Sequence, residues 1–154
     1  MKAVVTDRDE IRKIMEKCDV CRMAMFDGAY PYIVPLNFGA AEKAGALVLY
    51  FHGRREGRKM ALLRANPHAA FEMDCGHRLV PGEQACQYTM EYESVCGAGL
   101  VEEVSDDGEK AAALRAVMRQ YAPGRSFSFS EEQVRRVAVL RLTVGEVSGK
   151  KLWV

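Results

Sequence analysis

Apolar and polar side chains alternate over most of this 154-residue chain, and short turns separate the alternating runs. A period of two is typical of strands that bury one face. Asp27-Gly28 is a tight-turn signal, which predicts a hairpin between the first two runs. Six or seven strands are predicted, at residues 20–27, 30–38, 46–52, 69–74, 85–92, 94–104 and 137–147, with a loop at 76–83.

Helical spacing of apolar residues predicts three helices and a short fourth one. Thr6-Asp7 can cap a helix through about Lys17, and Ser130 begins a capping signal for the short helix. The other two helices are predicted at 57–65 and 106–121. Because helices do not alternate with strands, a doubly wound parallel sheet fits poorly. We predict one domain, 1–154, that is mainly β with peripheral helices and forms an antiparallel barrel.

The turn between the third predicted strand and the helix that follows is unusually basic. Residues 51–59 read FHGRREGRK, which places four permanent cations and two glycines together. The first turn of a helix favours acidic residues, so cations there are explained best by an anion bound among them. A strand, a flexible turn and a helix N-terminus form a phosphate cradle. A solvated basic loop is the alternative interpretation.

Composition narrows the class of anion. A formal net charge of +1 argues against a general nucleic-acid or anionic-membrane partner, since both need a broad positive field. No apolar run reaches the roughly 18–20 residues of a membrane span, and the N-terminus turns acidic too early for a signal peptide. We therefore expect a cytoplasmic protein. Glycine fingerprints of the Rossmann and P-loop type are missing from the sequence.

Five cysteines are expected to remain reduced thiols in that compartment. Cys18 and Cys21 have the CxxC spacing of a zinc knuckle or a redox motif. A structural zinc site needs four ligands, and no second CxxC supplies them. We interpret both cysteines as small apolar residues between a helix and a strand, and no metal site is predicted.

Several short motifs occur in order from about residue 10 to the C-terminus. They are the segments 34–38, 49–53, 57–59, 63–67, 92–99 and 147–150, with Trp153 at the end. Together they resemble the pyridoxamine 5′-phosphate oxidase-like split-barrel flavoproteins, and within them the 5-nitroimidazole resistance (Nim) branch. The resemblance implies a six-stranded antiparallel split β-barrel that forms a homodimer, with FMN in two clefts at the interface.

The same resemblance implies a set of site residues. The phosphate side would be formed by His52, Arg54, Arg58 and Lys59. The strand along the isoalloxazine ring would be formed by Val34, Pro35, Leu36 and Asn37. Pro35 suits that position physically, because proline opens a strand from its ladder. Lys150 and Trp153 would approach the flavin of the partner subunit. Arg55 is expected to point away from its neighbour Arg54.

The implied function is an FMN-dependent oxidoreductase that reduces nitroimidazoles or other small planar acceptors, with NAD(P)H as the donor considered. His52 is either the catalytic residue, as its equivalent is held to be in the Nim branch, or a hydrogen-bond partner of the cofactor, or a structural histidine. FAD, a deazaflavin and haem are alternative cofactors, and a flavin or haem carrier without turnover is the alternative function. His52 or His77 with Cys96 would then be the candidate haem ligands.

Overall fold

A single antiparallel sheet of eight strands forms the body of the protein in the computed structural model, which describes residues 1–154. The strands are β1 (Lys2–Val5), β2 (Cys21–Met25), β3 (Tyr32–Leu36), β4 (Gly39–Lys43), β5 (Ala46–Gly53), β6 (His68–Val80), β7 (Thr89–Glu103) and β8 (Ala138–Leu152). The helices are α1 (Arg8–Met15), α2 (Arg58–Ala65), α3 (Asp107–Tyr121) and α4 (Glu131–Arg136). None of them is long and apolar enough to span a membrane.

The strands lie in the order β3-β2-β6-β7-β8-β5-β4, and β1 pairs with the end of β8. The mainly β class with outer helices is confirmed, and the strand count is eight. Two short strands account for the difference from the sequence expectation. Strand β1, which has four residues, lies before the first predicted helix. Strand β4 lies between the strands predicted at 30–38 and 46–52. It pairs with β5 through a tight turn at Ala44 and Gly45, where both residues have positive φ.

The predicted loop at 76–83 is wrong as far as Val80 and right for residues 81–83, and the predicted break between 85–92 and 94–104 is wrong. Strand β6 continues to Val80, because Gly76 lies in a bulge where the register with β7 shifts and pairing then resumes at Arg78. Strand β7 begins at Thr89, after a short 3₁₀ turn, and runs without a break to Glu103. Glycine in this sheet marks bulges, whereas a sequence pattern treats it as a strand end.

The sheet buries apolar side chains on both faces. Alternation along β5 shows the division, since Leu49 and Phe51 belong to the main core while Val48 and Tyr50 belong to a second cluster beneath α3. The main core also receives one face of α1 and of α2. Its largest fully buried side chains are Phe38, Phe51, Ile11, Ile14, Met15, Met23, Leu47, Leu49, Met73 and Leu142.

A polar cluster fastens α3 to the sheet above the second apolar cluster. The Glu109 carboxylate accepts hydrogen bonds from the Tyr50 hydroxyl at 3.0 Å and from Arg141 Nη1 at 2.6 Å. Lys43 Nζ lies 2.7 Å from its other oxygen. Burial opposes ionisation of Glu109, but these bonds outweigh it and lower the pKa of the carboxyl. Burial also raises the pKa of Tyr50 to about 12.

Gly39 lets α3 pack directly on β4. A Cβ atom at this position would lie 2.4 Å from the Val117 amide nitrogen and 2.5 Å from the Ala116 carbonyl carbon. Both are backbone atoms, so the helix must move to admit a methyl group. We expect Gly39→Ala to lower the free energy of unfolding by about 1–3 kcal/mol, measured by urea denaturation.

Gly124→Ala is the matched control for this prediction, because a Cβ at Gly124 would meet no atom within 4 Å. Its effect is expected to stay within about 0.5 kcal/mol. Equal effects of the two substitutions would show that α3 tolerates displacement from β4.

Candidate functional site

The basic turn between β5 and α2 leaves the start of α2 without a cap. Gly57 occupies the N-cap position with φ 133°, no side chain caps the helix, and no acidic residue lies in the first turn. The first intrahelical bond runs from the Ala61 amide to the Gly57 carbonyl at 3.1 Å. The amides before Ala61 therefore have no helical acceptor, and they form the positive end of the helix dipole.

Lys59 is a half-buried cation at this helix start. Its Nζ lies 3.4 Å from the place that a Cβ on Gly53 would take, so the ammonium sits against the end of β5. No carboxylate oxygen lies within 4.0 Å of it. Burial lowers the pKa of Lys59. A desolvated ammonium beside free amides is an arrangement that a bound anion would stabilise.

Arg58 links the helix start to the hairpin between β2 and β3. Its Nε donates to the Asp27 carboxylate at 3.1 Å, Nη2 donates to the same oxygen, and the guanidinium carbon lies 4.2 Å from the centroid of the Tyr32 ring. The hydrogen bond to Asp27 raises the pKa of Arg58. One edge of the guanidinium is therefore occupied, while its Nη1 edge stays available for a second anion.

The other cations of the turn lie apart from this pair. Arg54 is exposed, and Arg55 donates to the backbone carbonyl of Arg135 before α4 ends. His52 is exposed, lies opposite Val139 in the ladder and shares its face of β5 with Tyr50. Arg58 and Lys59 thus both lie in the first turn of α2, which carries the free amides, with Arg58 against the β2–β3 hairpin and Lys59 against the end of β5. The imidazole of His52 makes no hydrogen bond to them.

Strand β3 forms one end of the sheet beside this cradle. It pairs with β2 alone, and Pro35 lies opposite Arg22, so Pro35 stands in an edge strand, where proline is tolerated. Val34 and Leu36 pack against the main core, while Asn37 is exposed. The outer side of β3 keeps backbone N–H and C=O groups without strand partners. The contact between Arg58 and Tyr32 joins this free edge to the cradle.

Lys150 and Trp153 lie at the other end of β8. Gly53 is paired with Ala138 at the start of that strand, and Lys150 follows twelve residues later, roughly 40 Å along it at about 3.3 Å per residue. Trp153 lines a separate cavity of about 400 Å³ with Tyr92 and Leu152. Within one protomer, these residues do not share a site with Lys59.

The candidate haem ligands are separated in the same way. His52 pairs with Val139 of β8 while Cys96 pairs with Ser148, about nine residues or roughly 30 Å apart along the strand. His77 forms a hydrogen bond of 3.1 Å with Asp74. One protomer therefore assembles no pair of His52 and Cys96.

An apolar groove beside the cradle was missed by the sequence patterns. It has a volume of about 710 Å³, and Phe26, the residue before Asp27, forms one wall. Its floor consists of small residues on β6, β7 and β8, where the register of β7 with β8 shifts after Ala98. The lining residues are Phe26, Asn66, His68, Ala69, Ala70, Ala98, Gly99, Leu100, Gly145 and Glu146. The run of small residues at 97–99 was the available signal.

Cys18 and Cys21 are buried free thiols. The Cys18 thiol donates to the Ile14 carbonyl at 3.3 Å, and burial raises the pKa of both cysteines, that of Cys21 to about 12. Both side chains belong to the main core. Neutral thiols of this kind are poor nucleophiles and poor metal ligands.

A comparison with protein families decides which family the chain belongs to. The model of the family described as pyridoxamine 5′-phosphate oxidase matches residues 7–151. The chain belongs to this family. The resemblance seen in the sequence motifs is thereby confirmed, and a comparison with curated proteins found no match.

Solved structures with the same fold include one relative of substantial identity. A protein from Bacteroides thetaiotaomicron assigned to 5-nitroimidazole antibiotic resistance is 36% identical, with a TM-score of 0.82 over 97% of this chain and 87% of that chain. Flavocytochrome Anf3 from Azotobacter vinelandii is 22% identical, with a TM-score of 0.79 over 98% and 70% of the two chains. An FAD and heme binding protein from Mycobacterium smegmatis is 20% identical, with a TM-score of 0.80 over 97% and 72%. The last two structures, at 22% and 20% identity, show that this chain shares their fold.

Because its ammonium is desolvated, Lys59 is expected to lower the stability of the ligand-free protein while it favours the binding of an anion. Below its lowered pKa in the folded state, Lys59 is charged in both the folded and unfolded protein, and folding removes part of its hydration. We expect Lys59→Met to raise the urea midpoint of the ligand-free protein at neutral pH. The gain should shrink as the pH rises from the lowered pKa towards 10.5, because the folded wild-type lysine then loses its charge.

Lys2→Met is the control, since Lys2 is exposed on β1. A lower midpoint for Lys59→Met than for the control at neutral pH would contradict the claim that the ammonium is unsatisfied.

Proposed function

We propose that this protein binds FMN and acts as a flavin-dependent oxidoreductase on small planar acceptors such as nitroimidazoles. The observation that carries the proposal is the half-buried ammonium of Lys59, which has no counter-ion and lies at the uncapped start of α2. This arrangement calls for a permanent anionic group, and a terminal phosphate supplies one.

The cradle suits a phosphate in its chemistry as well as its charge. Arg58 offers the N–H groups of Nη1, Lys59 offers a compact charge, and the amides at the start of α2 offer further donors. Asp27 and Tyr32 hold the guanidinium in place before a ligand binds, which reduces the entropy lost on binding. Arg54 is close in sequence and exposed, and we assign it an outer electrostatic role.

The free edge of β3 is the proposed support for the flavin ring. Pro35 donates no backbone hydrogen bond, and the segment that contains Val34, Pro35 and Leu36 has no strand partner for the backbone groups on its outer side. Such groups can hydrogen-bond the polar edge of a planar heterocycle without breaking a ladder. Bound FMN would supply the electron-transfer chemistry between NAD(P)H and the acceptor. We assign His52 to the acceptor side, because it is exposed directly before the basic turn and its imidazole makes no hydrogen bond within the protein.

The comparisons support the proposal at two levels. Family membership favours a cofactor with a phosphate in this fold. The Bacteroides relative favours the nitroimidazole class of acceptor, since it is the one cited above 25% identity. The more distant neighbours are a flavocytochrome and an FAD and heme binding protein, so the experiment below also tests for FAD and haem. The separation of His52 from Cys96 disfavours haem bound by that pair within one protomer.

We also propose a homodimer that completes the site. Large apolar side chains are exposed around the groove, with Phe26 64% exposed and Leu100 47% exposed. A second copy that covers this face would bury them and would turn a groove with one wall into a closed cleft. It would also allow Lys150 and Trp153 of one protomer to approach the cradle of the other, which a single chain does not permit.

The cofactor assignment is tested by reconstitution. The purified protein with FMN is expected to show flavin absorption bands and a higher thermal midpoint, and mass spectrometry of the extracted cofactor separates FMN from FAD, deazaflavin and haem. Turnover is measured with NAD(P)H and a nitroimidazole. Arg58→Ala should weaken FMN binding by about 1.5–3 kcal/mol, the range for a hydrogen bond to a charged group.

Arg119→Ala, an exposed change in the last turn of α3, is the matched control and should leave the dissociation constant unchanged. An Arg58→Ala variant with wild-type affinity would remove Arg58 from the cradle. If the wild-type protein showed no flavin bands and no thermal shift with FMN, the proposed function as a whole would be refuted.

The dimer is tested by light scattering on the reconstituted protein. We expect twice the chain mass of 17.2 kDa, and we expect Leu100→Glu to shift the population towards monomer by burying an unpaired charge. Leu79→Glu, an exposed position on the far part of β6, serves as the control. A wild-type monomer that binds FMN as tightly as a dimer would contradict the shared site.

A further inference from the structure

A second basic cavity lies behind the basic turn, on the side away from Asp27. This rear pocket has a volume of about 440 Å³ and is bounded by α2, α4, the end of β7 and the start of α3. The polar side chains that line it include Arg55, Arg64, Ser105, Asp107, Lys110 and Arg135. Arg55 links the two sites, since it belongs to the same turn as the cradle and reaches the Arg135 carbonyl.

Lys110 is the unusual residue of the rear pocket. It is only 6% exposed and is the single charged residue among the buried residues of the chain. No carboxylate oxygen lies within 4.0 Å of its ammonium nitrogen. Lysines normally extend along apolar surface and keep the charged end in water, and they are almost never fully buried without a partner. A cavity next to the side chain provides room for such a partner.

The other charges of the rear pocket are mostly paired already. Arg64 is held by Glu103 at 3.0 Å and by Glu56 at 3.5 Å, and Arg135 by Glu131 at 3.2 Å. Arg55 has no carboxylate within 4.0 Å, and one of its guanidinium nitrogens donates a hydrogen bond to a backbone carbonyl.

Two lining cations are therefore left without a counter-ion, Lys110 and Arg55. Asp107 is the one lining carboxylate that forms no ion pair within 4.0 Å. Four cations and three carboxylates line the rear pocket, and Glu56 and Glu103 share Arg64, so the lining carries one net positive charge. The cations without a counter-ion are Lys110 and Arg55, and a small anion between them would be favoured over a cation.

We propose that the rear pocket is a second anion site, which binds one phosphate group between Lys110 and Arg55. A guanidinium fork and a compact ammonium are the two side chains that proteins use most for phosphate, and the Ser105 hydroxyl adds a neutral donor. The volume falls in the range of small-molecule sites, so the phosphate can be free or part of a nucleotide-sized molecule. This proposal does not depend on whether the cradle of Arg58 and Lys59 binds flavin.

The test follows backbone amide NMR signals of the whole protein during titration with inorganic phosphate at constant ionic strength set by chloride. Signals of Ser105, Asp107 and Lys110 report the rear pocket, and those of Gly57 and Lys59 report the cradle. We expect both groups of signals to move with phosphate and not with chloride. Lys110→Met should weaken the rear-pocket response by about tenfold or more and leave the cradle response intact.

Arg115→Met is the matched control, because it removes an exposed charge from the same helix. Arg55→Gln is a second variant that keeps the inference testable if Lys110→Met does not fold. Adenosine 5′-monophosphate and adenosine separate the sources: tighter binding of the nucleotide than of phosphate indicates a larger ligand, and equal binding indicates free phosphate. Rear-pocket signals that do not respond to phosphate or to the nucleotide, or that respond equally in Lys110→Met and wild type, would overturn the proposal.

Discussion

The ladder between β7 and β8 is the interaction on which the rest of the structure depends. Each strand has fifteen residues, and their pairing extends from Tyr92 with Leu152 to Glu103 with Leu140. Every other part of the sheet attaches to this pair: β6 and then the β2–β3 hairpin on one side, β5 and β4 on the other, and β1 at the end of β8. The position of the cradle follows, because Gly53 is fixed opposite Ala138. The bulge after Ala98 bends the frame where the apolar groove forms.

The basic turn separates two chemical environments. On one side, Arg58 is held by Asp27 and Tyr32, and the half-buried ammonium of Lys59 lies against Gly53 at the end of β5. On the other side, Arg55 faces the pocket of Lys110. In both places a partly or fully buried lysine lacks a carboxylate, whereas arginines such as Arg22 and Arg78 are paired with acidic residues. Burial of a charge costs free energy, and a ligand of opposite charge offsets that cost, so the anions proposed at these two lysines would add to the stability of the folded protein.

Much of the fold could be predicted from the sequence because local signals and tertiary structure agree. Three of the predicted helices begin where the sequence indicates, and their N-caps are Asp7, Asp106 and Ser130. The failures lie at Gly76 and at 85–94, where long-range pairing with β7 and β8 overrides local breaker signals.

The site could be predicted only in part. Clustering of cations near Gly57 pointed to Arg58 and Lys59, but the roles of Asp27 and Tyr32 depend on how the hairpin meets α2. Lys110 gave no sequence signal at all, because it reads as an ordinary solvated residue of an acidic helix start. Its importance comes from burial, which only the packing of α3 and α4 around it determines.

Pro35 has a consequence that reaches beyond ligand binding. Strand β3 ends the sheet, and an edge strand of apolar residues such as Ile33 and Val34 is a template on which another chain can add a strand and begin to aggregate. A proline in the middle of that strand cannot donate to an incoming ladder, and its ring keeps a neighbouring backbone away. The residue that leaves the edge open to a small flat molecule therefore also closes it to another polypeptide. Selection for solubility and selection for the cofactor would both retain proline here.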